Sequence, residues 1–496
     1  MSTAAEGILG SAPRPAPRSR RHSPRIAAHG KLTVLTLAAA TYFMVSGGPY
    51  GLEDIVKMAG YAGAIAILLI TPLLWSVPTA MMVSELSSSI PEEGGFYIWV
   101  RRGLGNFWGY QETWLSLAGS IFEMALYPTL FVDYLGHFAP ALTAGHRAII
   151  IELGLILICT LWNLWGTRAV GEGSVWMSLA LLSPFVVLVA VALSRHVASN
   201  ATLLLPARAG LTAAAGHVTS NIMPAAAVPA HAIGHVDILG GILIAMWNYM
   251  GWDNTSTIAE EVERPQRTFP LVMLLTVSFI TVSYIVPVAA AAHAGISPLG
   301  WSTGGWVDIG RAIGGQWLSV AIAAGGAIGA IGTFNALTLS FSRLPLVMAQ
   351  DGYLPKIFAH TSARTGMPWV AITACSIGWA ACLFLNFERL VIIDVLVTGL
   401  SVLLEFWALI GLRIREPNLA RPYRVPGGML GVILIGIPPL ALMVAAVVRN
   451  RTEAIGATSS LAVALALIAL GPIFYLISRP RAKAAAREQS SVPNGN

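Results

Sequence analysis

Residues 42–51 read Tyr42-Phe43-Met44-Val45-Ser46-Gly47-Gly48-Pro49-Tyr50-Gly51 and lie inside the first long apolar run of the chain. Glycine is flexible and proline lacks an N–H, so three glycines and a proline within five residues do not continue an ordinary helix. At membrane depth an unwound backbone is tolerated only where it lines a cavity or is buried in protein. A simple proline kink is the alternative, but the density of helix breakers favours a true interruption.

A second interruption lies about 200 residues later, in the sixth long apolar run. Here the sequence reads Trp247-Asn248-Tyr249-Met250-Gly251-Trp252-Asp253-Asn254-Thr255-Ser256. Paired interruptions in corresponding positions of two halves are typical of inverted repeats that enclose a binding site. We therefore predict two repeats, 31–194 and 238–412, followed by two further helices within 429–477.

The composition is that of a membrane protein. Of the 496 residues, 55% are apolar and only 11% are charged, whereas a soluble domain carries about a quarter charged residues. So few charges do not cover a water-facing surface. The net charge of +6 does not indicate nucleic-acid binding, because the basic residues lie in short loops between apolar runs. The three cysteines lie inside apolar runs without metal-site spacing, so neither a metal nor a cofactor is expected.

Apolar runs of roughly 20 residues, long enough to cross a hydrocarbon layer of ~30 Å, recur along the chain. The predicted spans are 32–57, 61–84, 105–135, 147–166, 171–194, 238–261, 270–292, 314–346, 370–387, 390–412, 429–448 and 458–477. The linkers 58–60 and 388–389 are the shortest. These runs predict an all-α membrane protein with about 12 transmembrane helices, forming a transporter-like domain over residues 31–478.

The distribution of Lys and Arg predicts the orientation. With the N-terminus in the cytoplasm, 22 of the 30 basic residues fall on the cytoplasmic side, as the positive-inside rule requires. The tails 1–30 and 479–496 are predicted to be disordered and are then both cytoplasmic, in a cell membrane of the bacterial inner-membrane type. The loop 195–237 lies outside and contains His196, His217, His231 and His235. A flexible loop is the favoured interpretation, and a metal or pH-sensing role is the alternative.

Acidic residues lie deep in the predicted spans without basic partners at comparable depth. They are Glu112, Glu123, Asp253, Asp394 and Glu405. Ionisable groups at such depth are costly and are functional hypotheses by default. Either several of these carboxyls are protonated or they receive a cation.

Two of the acids are substrate-site candidates. Glu123 is the predicted partner of a substrate ammonium, with a neutral acid bonded to a neighbouring helix as the alternative. Asp253 in the second interruption is the second candidate, with a helix cap as the alternative. Trp247 and Trp252 are aromatic candidates beside that interruption, where a ring stacks on an ammonium or closes the site; interfacial anchoring is their alternative role.

Four further segments carry a family resemblance, together with the two interruptions. They are Ser84-Glu85-Leu86 with Pro91–Gly95, Glu260–Pro265 with Phe269-Pro270, Ser342-Arg343 with Met348–Pro355, and Arg421–Gly427. In this order they resemble the amino acid–polyamine–organocation superfamily. Two stretches, Val45–Asp54 and Ala125–Pro128 with Asp133–Leu135, are similar to the polyamine uptake transporters of plants and protists.

The resemblance implies a LeuT-like five-plus-five repeat with broken helices 1 and 6 and secondary active transport by alternating access. The implied substrate is a polyamine or an amino acid, carried with a proton. Its site would be formed by the two interruptions, including Ser46–Gly51, Asn248 and Gly251. Glu85, Glu112, Asp394 and Glu405 are gating or coupling candidates. Many proton-coupled relatives carry a lysine in span 5, where this chain reads Leu181–Phe185, so sodium coupling stays open.

Other function classes are less well supported. An amino acid permease or exchanger without polyamine activity is the main alternative. An enzyme would need a catalytic motif at depth, such as a nucleophile elbow or a phosphate-binding loop with lysine, and none occurs. A channel would show a continuous polar stripe or filter repeat, and a sensor would need room for a signalling domain. The expected partners are the lipid bilayer, the substrate and the coupling ion, with the oligomeric state left open.

Overall fold

The computed structural model describes residues 31–195, 237–302, 304–383, 387–450, 454–455 and 458–491. The prediction of a disordered C-terminal tail is wrong for most of that tail, because the last helix, Ser460–Ser491, continues through residues that favour helix, Ala, Arg and Lys. The predicted N-terminal tail 1–30 lies outside the described residues. So do the four histidines of the loop 195–237. The interpretations placed on both segments therefore stay predictions.

Helices form nearly all of the described chain. In order they are α1 (Val34–Val45), α2 (Glu53–Thr71), α3 (Val77–Ser89), α4 (Gly95–Leu104), α5 (Asn106–Gly136), α6 (Pro140–Thr143), α7 (His146–Leu164), α8 (Thr167–Arg195), α9 (Ile238–Asn248), α10 (Pro265–His293), α11 (Trp306–Gly314), α12 (Gln316–Phe341), α13 (Arg343–Gln350), α14 (Trp369–Ala380), α15 (Phe387–Arg415), α16 (Gly428–Asn450) and α17 (Ser460–Ser491). Shorter elements complete the described chain. They are a π-helical turn (Pro72–Ser76), 3₁₀ helices (Trp252–Glu261, Pro298–Gly300 and Lys356–Ala359) and an antiparallel pair of strands, β1 (Ala454–Ile455) and β2 (Thr458–Ser459).

The helices are apolar on the outside as well as inside. Within the described ranges, nine helical segments are long and apolar enough to cross a membrane, and α1 and α14 are shorter apolar helices. Outward-facing side chains such as Ile150, Trp176 and Leu430 are 68%, 73% and 65% exposed. Because such surfaces are stable in lipid and not in water, the prediction of an all-α multi-pass membrane protein is confirmed. The number twelve stays a prediction.

The helix packing repeats when the two predicted halves are exchanged. α5 packs against α15, and its counterpart α12 packs against α8. In the same way α2 contacts α9 while α10 contacts α1, and α7 contacts α12 while α14 contacts α5. This exchange is what a five-plus-five repeat requires. This arrangement places α5 at the centre of the bundle. Of the 18-residue apolar stretch of α5, 78% is buried, compared with 28% for the corresponding stretch of the peripheral α8.

A short amphipathic helix precedes the long third helix of each half. Gly105 follows the last residue of α4 and precedes α5, and Gly315 follows the last residue of α11 and precedes α12. Both glycines have a positive φ, 109° and 81°, which side-chain-bearing residues rarely adopt. The same helix–glycine–helix unit thus occurs once in each half.

Two predicted linkers compare differently with the structure. Gly60, with φ of 65°, interrupts the helical path of α2 within the predicted linker 58–60. α14 ends at Ala380 and α15 begins at Phe387, so the connection precedes the predicted linker 388–389. The residues between these helices remain largely apolar, and hydropathy therefore does not mark the end of the span.

Ion pairs join residues that the sequence places on the same side of the membrane. At the predicted cytoplasmic side, Arg343 pairs with Glu261 and Arg413 pairs with Glu85. At the predicted outer side, Arg449 pairs with Asp237. The predicted topology and the folded chain are therefore mutually consistent.

Candidate substrate site

The first helix is interrupted at the predicted residues. α1 ends at Val45, Ser46 is extended, and α2 begins at Glu53. Gly48 and Gly51 have φ of 89° and 86°, a conformation that costs side-chain-bearing residues about 1–2 kcal/mol. The segment is therefore a true break in the helix, as predicted, and not a proline kink.

The second break touches the first. α9 ends at Asn248, Gly251 has φ of 90°, and the chain resumes as the 3₁₀ helix Trp252–Glu261. A Cβ atom on Gly251 would lie 2.3 Å from the carbonyl oxygen of Met44. Glycine is required here because the two unwound segments are packed backbone to backbone.

Tyr284 of α10 joins both breaks by hydrogen bonds. Its hydroxyl lies 2.7 Å from Ser46 Oγ and 2.8 Å from the carbonyl oxygen of Asn248. Two other side chains bond to the first break: Trp306 Nε1 donates to the Pro49 carbonyl at 2.8 Å, and Asn248 Nδ2 donates to the Gly51 carbonyl at 3.4 Å. Backbone groups that the breaks free from helical bonding are thereby satisfied by side chains.

Sequence reasoning missed Tyr284. It is one of several hydroxyl-bearing residues of α10, and nothing in the sequence distinguishes it from the others. Sequence reasoning also missed Glu53 as a site residue. Glu53 is fully buried and accepts hydrogen bonds from Gly51 N at 2.7 Å and from the Tyr134 hydroxyl at 3.3 Å.

A cavity lies between the breaks, α5 and α12. Five of the predicted substrate-site residues line it, namely Gly47, Tyr50, Glu123, Trp247 and Asn248. Tyr127, Tyr134 and Thr333 add polar atoms to its wall. The cavity is thus mostly apolar and aromatic, with few polar groups, as small-molecule sites usually are.

Glu123 provides the acidic group of this cavity. It is 9% exposed, and its Oε1 accepts a hydrogen bond from the Tyr127 hydroxyl at 3.2 Å. In the part of the chain that the structure describes, Glu123 forms no ion pair. A buried carboxyl without a basic partner can bind a cationic group or hold a proton.

The remaining predicted residues of the two breaks lie behind the cavity wall. Ser46, Gly48, Pro49 and Gly51 shape the first break. Trp252 is fully buried, and its indole N–H bonds to the Tyr249 carbonyl at 2.8 Å. Asp253 does not line the cavity, and its carboxyl lies near that of Glu405.

The other deep acids lie along the contact between α5 and α15. We call this row the polar seam; its members are Glu112, Ser116 and Glu123 of α5 and Asp394, Thr398, Ser401 and Glu405 of α15. Ser401 Oγ donates to Glu112 Oε1 at 2.9 Å and lies 2.9 Å from Ser116 Oγ. Thr398 Oγ1 donates to Asp394 Oδ1 at 2.8 Å.

The seam extends from the cavity toward the predicted cytoplasmic end. Glu112 and Glu123 are eleven residues apart, as are Asp394 and Glu405, which is about 17 Å along a helix. No N–H or O–H group of the described residues bonds to Asp253 Oδ1 or to either oxygen of Glu405. Two carboxylates can only accept hydrogen bonds, so these neighbouring carboxyls could bond to each other only with a proton on one of them.

Glu85, a gating candidate, belongs to a buried ion pair at the predicted cytoplasmic end. Its carboxylate binds Arg413 Nε at 2.9 Å and Nη2 at 2.5 Å, and accepts from Val425 N at 2.7 Å. Nearby, Arg343 pairs with Glu93 at 3.3 Å. Burial raises the pKa of Glu93 to about 7, although the Arg343 guanidinium opposes the shift. Charge pairs thus connect several segments at this end of the bundle.

Comparison with known sequences decides the family. The profile of a family described as Amino acid permease matches residues 38–471, which include both breaks and the whole polar seam. The chain belongs to the amino acid permease family. As a member of the amino acid–polyamine–organocation superfamily, this permease is a transporter and not an enzyme.

The sequence of this permease is similar to those of plant and bacterial transporters. It is 34% identical over 451 residues to Polyamine transporter PUT1 of Oryza sativa subsp. japonica, covering 91% of this chain and 79% of the relative. It is also 34% identical to Polyamine transporter RMV1 of Arabidopsis thaliana, covering 83% and 79%. An Uncharacterized transporter, Mb2022c of Mycobacterium bovis, is 27% identical over 65% of this chain and 66% of its own length.

The bridge between the breaks is testable by Tyr284→Phe. The change leaves Ser46 Oγ and the Asn248 carbonyl without this partner, and one such hydrogen bond contributes about 0.5–1.5 kcal/mol. We expect the KM for substrate uptake to rise about three- to tenfold in proteoliposomes. The control is Tyr353→Phe, since Tyr353 lies in a separate aromatic cluster with Tyr110 and Tyr475. Equal KM values in both variants would contradict a role for the bridge.

Proposed function

We propose that this permease is a proton-coupled polyamine transporter that works by alternating access. The observation that carries the proposal is the cavity between the two breaks, whose acidic wall residue Glu123 has no basic partner among the described residues. A substrate ammonium supplies the missing positive charge. The names of the plant relatives support the same substrate class.

The cavity lining suits an amine. Trp247, Tyr127 and Tyr134 present aromatic rings near Glu123. Ring faces attract ammonium groups by cation–π interaction, by up to about 2 kcal/mol when desolvated. An elongated diamine can place one ammonium on Glu123 and its methylene chain along Leu130 and Ala330, which also line the cavity.

The polar seam supports proton coupling. Asp394, beside Thr398, lies toward the cavity end of the seam. Glu405 and Glu112 form its other end, with Asp253 beside them. These four groups are carboxyls, and two of them, Asp394 and Glu112, accept hydrogen bonds from hydroxyl groups. Among the described residues none of them has an ion-pair partner. A row of carboxyls with intervening hydroxyls can pass a proton between the substrate cavity and the predicted cytoplasmic side. We assign the coupling proton to the pair of Asp253 and Glu405.

Alternating access follows from the repeat. The broken helices α1–α2 and α9 with Trp252–Glu261 move against the helices α5 and α12, around the cavity. Opening toward the predicted cytoplasm separates Arg343 from Glu93 and Glu261 and Arg413 from Glu85. For a polyamine, the inward-negative potential adds about 2.3 kcal/mol per charge per 100 mV, which drives uptake.

The role of Glu123 is testable by Glu123→Gln. Uptake of radiolabelled putrescine, spermidine, arginine and leucine into proteoliposomes is compared in the presence and absence of a proton gradient. Hydrogen bonds to charged groups contribute about 1.5–3 kcal/mol, so polyamine uptake at low concentration should fall at least about tenfold. The matched control is Glu172→Gln, because Glu172 forms an exposed pair with Arg168. Leucine transport that ignores both the gradient and the mutation would instead indicate a neutral amino acid permease.

Proton coupling is testable by Glu405→Gln. If Glu405 and Asp253 carry the coupling proton, a permanently neutral side chain uncouples the two fluxes. We expect putrescine exchange between the two sides to persist, while accumulation driven by a pH gradient at zero potential disappears. Glu92→Gln is the control, since Glu92 is half exposed in a surface pair with Arg102. Gradient-driven accumulation that survives Glu405→Gln, or that requires sodium, would contradict this assignment.

A further inference from the structure

The start of α2 is an anion site that is already filled. The free N–H groups at the beginning of a helix attract negative charge, and broken transporter helices use them to bind substrate carboxylates. In the first break, further donors come from the unwound residues 48–51, which lead into α2. Two of these backbone N–H groups already donate hydrogen bonds to side chains of the same segment.

Three of these four residues have no N–H group that is free to bind a ligand. Gly48 N donates to Ser46 Oγ at 3.1 Å. Pro49 carries no N–H. Gly51 N donates to Glu53 Oε2 at 2.7 Å. An incoming carboxylate would therefore lose its water without gaining these hydrogen bonds, which is unfavourable in a buried site.

Glu53 is held firmly in this position. It has no exposed surface, and its second oxygen accepts a hydrogen bond from Tyr134. Tyr134 and Tyr50 both line the substrate cavity. The Glu53 carboxyl thus lies directly behind the cavity wall, where the carboxyl group of an amino acid would otherwise bind.

We propose that Glu53 is a specificity-determining residue that excludes substrates with an α-carboxylate. Its carboxyl occupies the helix start that an amino acid would need, and it thereby restricts the cargo to amines without a carboxylate. The inference rests on the proposed function, because it presumes that an amine is transported. Glu53 would explain why the protein rejects an amino acid such as ornithine, which differs from the amine putrescine only by its carboxylate.

The test uses substrates that differ only in the carboxylate, namely putrescine against ornithine and cadaverine against lysine. Competition with radiolabelled putrescine uptake gives a selectivity ratio for each pair. For the wild type we expect the amines to be preferred at least about 100-fold, since a site whose polar groups do not match a ligand rejects it strongly. Glu53→Ala frees Gly51 N and should lower the ratio at least tenfold. Glu53→Gln keeps an acceptor oxygen and should lower it less.

Ser46→Ala is a second, independent variant, because it frees Gly48 N without changing Glu53. It should also improve inhibition by ornithine, and it keeps the test informative if Glu53→Ala does not fold. Glu152→Gln is the control, since Glu152 is a buried acid of α7 away from the cavity, and its ratio should equal that of the wild type.

The outcomes separate the two proposals. Wild-type uptake of neither amine would contradict the proposed function. Putrescine uptake with ornithine accepted equally well, or with ornithine rejected unchanged in Glu53→Ala and Ser46→Ala, would overturn the role of Glu53 and leave the proposed function standing.

Discussion

Unwound backbone within a membrane must be satisfied by the protein itself, and this constraint organises the whole structure. Lipid offers no hydrogen bonds, and each unpaired backbone group costs several kcal/mol. The two breaks therefore pack against each other at Gly251 and Met44 and are held by Tyr284 and Trp306. The long helices α5 and α12 enclose them. The cavity is the space that remains where two interrupted helices cannot fill the bundle.

Electrostatics gives that cavity its chemistry. Glu123, Asp394, Asp253, Glu405 and Glu112 follow one another across the bundle, while the buried guanidinium groups of the described chain lie at its predicted cytoplasmic end. Buried acidic groups without basic partners are stabilised by positive charge, which both protons and ammonium groups can supply. Binding of the ammonium at Glu123 and of a proton at Asp253 and Glu405 is the basis that we propose for coupled transport. The buried Glu53 then limits the choice among ammonium-bearing molecules.

Much of this could be predicted from the sequence. Gly-Gly-Pro-Tyr-Gly marks the first break because its residue types decide the backbone locally, and Lys and Arg counts give a topology with which the ion pairs agree. The contacts between distant segments could not be predicted. Nothing near Tyr284 in the chain indicates that it joins Ser46 to Asn248, and the direction of Asp253 toward Glu405 depends on the turn at Gly251. Periodicity places a residue on a helix face but does not say which partner that face meets.

The most direct test is a cryo-electron microscopy structure of the protein in lipid nanodiscs, determined with and without saturating putrescine. We expect additional density in the putrescine map between the two breaks. One end of this density should lie within hydrogen-bonding distance of the Glu123 carboxyl, and the rest should lie beside Trp247. We also expect Glu53 to keep its bond to Gly51 N. Density that lies away from Glu123, or a ligand bound through the backbone of residues 48–51 with Glu53 displaced, would contradict this prediction.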